Sequence, residues 1–68
     1  MNLIEGLQAE MNRLRDVAIP EYEEIGPAAG FAVMCMRVEI IEAEAAIAGG
    51  DVVEMLRVYA VIKESGKS

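Results

Sequence analysis

Between Pro27 and Ala48 the chain carries apolar side chains on two opposite sides of any helix it forms, and this property constrains the fold more than any other. At about 100° per residue, Phe31, Met34, Val38, Ile41, Ala45 and Ala48 fall on one face. Val33, Met36, Ile40, Ala43 and Ile47 fall roughly opposite. Charges are confined to the seams, with Arg37 and Glu44 on one side and Glu39 and Glu42 on the other. A helix apolar on two opposite faces must be covered on both.

The flanking segments supply one good apolar stripe each. From about Asn2 to Ile25, Ile4, Leu7, Met11, Leu14 and Ala18 recur at alternating steps of three and four, which predicts an amphipathic helix with Leu3 on its flank. Asn2 suits the N-cap, with Glu5 in the capping-box position. Pro20 removes a backbone donor and disfavours helical geometry at Ile19, so a kink or break is expected there. Beyond it Tyr22 and Ile25 return to the same stripe, and Gly26-Pro27 ends the element. Gly49-Gly50 stops the second helix, and Asp51 caps a third with Glu54 in the capping-box position. Val52, Met55, Leu56, Tyr59 and Ile62 form the expected core stripe of this third helix, leaving Val53, Val58 and Val61 off it. The small, polar run from Ser65 to Ser68 is expected to fray.

The expected fold is all-α: a single domain over residues 1–68, with helices over about 2–25, 27–48 and 51–64. The first two form an antiparallel hairpin and the shorter third packs back across it. If helices one and three share one face of helix two, another chain must close the other face, which makes the chain a homo-oligomeric bundle with two-fold closure the commonest form. Val33, Met36, Ile40, Ala43 and Ile47, with Val58 and Val61 beside them, are the residues expected to bury that interface. Size argues the same way. A chain of 68 residues needs a staple or a partner, because cores in this range supply only ~3–5 kcal/mol. Cys35 has no mate for a disulfide, and with no His and no second thiol there is no ordinary zinc site.

Charge narrows the partners. A formal net charge of −6 argues against binding a nucleic-acid backbone or an anionic membrane surface. Residues Met1 to Leu7 lack the basic start and apolar run of a secretory signal, and the uncharged stretch Ile25 to Met36 is too short to span a bilayer. With a lone thiol, these features point to a cytoplasmic protein.

No residue pattern points to catalysis. Cys35 has no His to activate it and sits among Met34, Met36 and Val38, as a core thiol would. Pairs such as Glu39 and Glu42 have helical spacing, but the Glu-x-x-His motifs of di-metal bundles are missing. Neither a cofactor nor a metal is expected. The turn Gly26-Pro27-Ala28-Ala29-Gly30-Phe31 exposes backbone N–H groups at a helix start, where an anion can be received. Gly30, Phe31, Arg37, Arg57 and Tyr59 are the candidate contacts for such a ligand, dispersed enough that only assembly of several chains would bring them together.

Three segments resemble small uncharacterised helical accessory proteins encoded by bacteriophages and prophages: Asn2 to Arg13, Gly26 to Phe31, and Gly49-Gly50-Asp51-Val52-Val53-Glu54-Met55-Leu56-Arg57. The likeness covers nearly the whole chain, and Pro20 departs from the pattern. It implies a viral accessory protein acting in the host cytoplasm. The expectation is a non-enzymatic, homo-oligomeric binding protein that inhibits a host antiviral defence protein by direct contact. The alternatives are a sponge for an anionic, cyclic nucleotide at subunit junctions and a structural oligomerisation module of a viral assembly. On this reading of the faces, Ile40→Glu dissociates the oligomer, and a variant that keeps the wild-type mass and helicity would show the assignment wrong.

Overall fold

The computed structural model describes residues 2–67 and measures 36 × 20 × 16 Å. Three helical rods and no strand make up the described residues. The first rod joins α1 (Leu3–Arg13), a π turn (Leu14–Ala18) and α2 (Ile19–Ile25). A short 3-10 turn (Pro27–Ala29) leads into α3 (Gly30–Gly49), and α4 (Val52–Ile62) follows after two residues.

Local chemistry sets each start and stop. Asn2 is extended, and its Oδ1 accepts the Glu5 N–H at 2.8 Å, while its Nδ2 donates to Glu5 Oε1 at 3.1 Å. The N-cap bond is made as expected, and the return contact from Glu5 goes to the Asn2 side-chain amide. At the far end of α3, Gly50 adopts the left-handed region with φ 66°. Its N–H donates to the Ile47 carbonyl at 3.1 Å and the Asp51 N–H to the Ala46 carbonyl at 3.2 Å, the two bonds of a Schellman motif. Asp51 then accepts the Glu54 N–H at 3.1 Å and starts α4 at once.

Pro20 does not break the first rod. A straight α-helix would need the Pro20 N–H for the Asp16 carbonyl and would drive the ring into that oxygen. The turn before it widens instead: Ile19 donates to the Leu14 carbonyl, five residues back. Such a turn holds one extra residue, so everything beyond it falls back by about one helical step, ~100°. That rotation carries Ile19 into the core and turns Ile25 out to solvent, while Tyr22 stays half-buried. Ile25 therefore does not rejoin the stripe.

The core contains Leu7, Met11, Leu14, Ala18 and Ile19 of the first rod, Met36, Ile40, Ala43 and Ala46 of α3, and Met55, Val58 and Ile62 of α4. The first rod and α4 thus share one face of α3, but it is the opposite face to the one expected. Met36, Ile40 and Ala43 lie in the chain's own core and Val33 and Ile47 pack against it, whereas Phe31, Met34, Val38 and Ile41 face out. Width explains the choice. Ala29, Ala32 and Ala46 extend the Met36 side into a broad arc of small and apolar residues, enough for two neighbours, with Glu39 its only charge. The Phe31 side is narrower, bounded by Arg37 and Glu44 on one edge and Glu42 on the other. In α4 the buried set is Met55, Val58 and Ile62, so Val58 belongs inside, whereas Val52 and Leu56 do not.

The C-terminal end is fastened through Gly66 and exposed at Lys67; Ser68 lies outside the described residues. Helix α4 stops at Ile62, and Arg13 Nη2 donates to the Ile62 carbonyl at 3.0 Å and the Ser65 carbonyl at 2.9 Å. A guanidinium across a helix C-terminus adds donors to the carbonyls of the last turn, and here the Ile62 carbonyl also accepts the Ser65 N–H at 3.1 Å. Gly66 follows with φ 76°, and a Cβ there would lie 2.7 Å from Ala18 Cβ.

Two substitutions separate this close approach from ordinary helix propensity. Gly66→Ala should lower stability by about 1–3 kcal/mol, because it adds a strained φ and a clash with the first rod. Gly49→Ala, where a methyl meets nothing within 4 Å, should raise it by up to about 1 kcal/mol. Urea unfolding followed by circular dichroism reads both, and equal effects at the two sites would show that Gly66 is not packed as described.

Candidate functional site: the outer face of the α3–α4 hairpin

The side of α3 turned away from the core holds an unbroken apolar strip. Phe31 is 74% exposed, Met34 54%, Val38 48% and Ile41 64%, with Ala45 and Ala48 also open to solvent. Of the apolar residues that α4 exposes, Val61 borders this strip, whereas Val52 and Leu56 lie on the far flank of that helix. Val61 meets the strip at a shallow groove of about 300 Å³, against Met34, Cys35 and Val38. Cys35 is free and half-buried in this groove. Glu39 also lines it, with Oε1 buried and without a hydrogen-bond partner. Large contiguous apolar strips rimmed by charge are a feature of interaction surfaces.

The rim on the α4 side is an ion cluster. Arg57 Nε lies 3.1 Å from both Glu54 carboxylate oxygens, its Nη2 bonds Glu54 Oε1, and Glu42 Oε2 is 3.7 Å away. The hydrogen bonds from Arg57 are the main cause that holds the Glu54 carboxyl below its ordinary range, partly opposed by desolvation. The same bonds raise Arg57. On the other edge Arg37 Nη2 meets Glu23 Oε2 at 3.2 Å, with both side chains more than half exposed. A second open groove of about 550 Å³ runs there between the first rod and α3, past Arg15, Pro20 and Ile41.

The residues expected to bury an interface divide sharply. Val61 is on the outer surface, but Met36, Ile40, Ala43 and Val58 are almost entirely covered by their own chain, and Val33 and Ile47 are partly covered. The residues expected to hold an anion do not converge within one chain. Arg37 leans to α2 and Arg57 to the α3–α4 seam, each already engaged by carboxylates. Tyr59 lies two residues from Arg57, on the other side of α4, with Lys63 Nζ 5.9 Å from its ring centre. Gly30 and Phe31 sit exposed at the start of α3. Among the described residues no three acidic or thiol side chains come together as a metal-holding group. No helix of the described residues is long and apolar enough to cross a membrane.

Sequence periodicity found both faces of α3 and missed which one the chain keeps for itself. The alanines at 29, 32 and 46, left out of the stripe count, carry that information.

The Glu54–Arg57 contact titrates in a defined direction. A carboxyl whose folded pKa is lowered contributes stability above its unfolded value and loses it as the pH falls through the folded value, so this clasp weakens only in acid. Arg57→Ala should move the Glu54 midpoint up toward the ordinary carboxylate range in an NMR titration. An unmoved midpoint would mean that Arg57 is not what lowers it.

Compared with known protein families, with characterised proteins and with solved structures, the chain matches none.

Proposed function

We propose that this chain is a non-enzymatic binding protein that works as a homo-oligomer, with the outer face of α3 as its self-association surface. The observation that supports this reading is the exposure of Phe31, Met34, Val38 and Ile41 in one row on a chain this small. Burying apolar surface is worth roughly 25 cal/mol per Å², so covering that row offers stability that a core of this size cannot reach alone. The uncovered second face of α3 is the Phe31 side rather than the Met36 side.

With α3 occupied, Val53 and Leu56 on α4 remain free to touch another protein. The resemblance to phage-encoded accessory proteins makes a component of a host antiviral defence the partner class, inhibited by contact rather than by chemistry. Expression of the chain should then restore plating of a phage that an active defence restricts, and Leu56→Glu should abolish the effect without changing the oligomer. Unchanged plating across a panel of defence systems would count against the inhibitor role.

Light scattering after size exclusion tests the self-association directly. A multiple of the 7.4 kDa chain is expected over a wide dilution range. Ile41→Glu should give a folded species of single-chain mass, whereas Ile40→Glu, which places a charge in the chain's own core, should lose helicity. A wild-type mass of one chain at every concentration would overturn the proposal.

A further inference from the structure

We propose that the occupant of the α3 face is α3 of a second copy, laid antiparallel across a two-fold axis between Val38 and Ile41. The inference rests on the self-association reading above and adds its direction and register.

The exposed row is a strict heptad seam. Phe31, Met34, Val38, Ile41, Ala45 and Ala48 are spaced three, four, three, four, three, the spacing with which two helices interlock. Side-chain size along the seam falls from one end to the other, from Phe and Met to two alanines. An antiparallel partner cancels that gradient. Phe31 then faces Ala48 of the second copy, Met34 faces Ala45, and Val38 faces Ile41, so every layer combines a large with a small residue or two of middle size. A parallel partner would stack Phe31 on Phe31 and Ala48 on Ala48, overfilled at one end and hollow at the other, and both faults are destabilising.

Charge at the rim fits the same arrangement. A two-fold axis perpendicular to both helices brings like flank against like flank. Arg37 and Glu44 lie on the flank toward the first rod, so Arg37 of each copy comes alongside Glu44 of the other, twice. Glu44 forms no ion pair within its own chain among the described residues, and the Arg37 contact to Glu23 is solvent-exposed and weak to compete with. The parallel alternative would offer Arg37 to Glu42, which already holds Arg57. Each α3 is also braced by its own core, so few degrees of freedom remain to be lost on pairing.

Cross-linking reads the direction. In a Cys35→Ser background, Met34→Cys and Ala45→Cys are made separately; both positions are exposed, so neither disturbs the core. In the antiparallel pair residue 34 faces residue 45, while like residues are about 16 Å apart along the axis. Mixing and oxidising the two variants should therefore give a disulfide-linked dimer, and each variant alone should not cross-link. Cross-linking of Met34→Cys alone, or no cross-link in the mixture while light scattering still shows a dimer, overturns the antiparallel register and leaves self-association standing. A single-chain mass for the wild type and both variants overturns both. As a check on the rim, Arg37→Glu should raise the dissociation constant several-fold at low salt, and adding Glu44→Arg should restore it; failure of the double variant to recover removes the proposed ion pairs.

Discussion

Everything in this molecule hangs on how many neighbours one face of α3 can take. Ala43 and Ala46 have side chains short enough for two other rods to approach the same stretch of helix, and Met36 and Ile40 fill the space between them. Had those alanines been leucines, the first rod and α4 would have been pushed apart and the opposite face drawn into use. Small residues at a helix contact thus decide which surface becomes interior and which is left for the outside world.

Much of the architecture is legible in the chain. The caps at Asn2 and Asp51, the glycine stop at Gly50, and the stripe Leu7, Met11, Leu14 and Ala18 all act as their residue types dictate. What periodicity alone does not carry is the ranking of two apolar faces, because hydropathy scores Phe31 and Ile41 above Ala43 and Ala46 while packing favours the face that admits close approach. The same bias placed Leu56 inside α4 and Val58 outside it.

The π turn before Pro20 belongs to a second kind of illegibility. A proline announces trouble but not its remedy: a break, a kink and a widened turn all accommodate the missing donor. The choice is made by what lies beyond, since only the widened turn rotates Ile19 onto the core while keeping the rod long enough to cover α3. Arg13 was equally silent. In the chain it reads as one more surface cation beside Glu10, and only the fold reveals that the carbonyls it serves belong to Ile62 and Ser65.

That last contact bears on the order in which the structure assembles. The α3–α4 hairpin needs only a two-residue connection and can close quickly, whereas the Arg13 bonds to Ile62 and Ser65 join residues 49 and 52 positions apart and carry the entropy of a much longer loop. A hairpin closed before the first rod packs would offer both of its apolar faces at once. Arg13 and Gly66 thus act as a latch that ties the C-terminal end to the first rod over the broad face of the hairpin, leaving the narrow face as the one open to solvent.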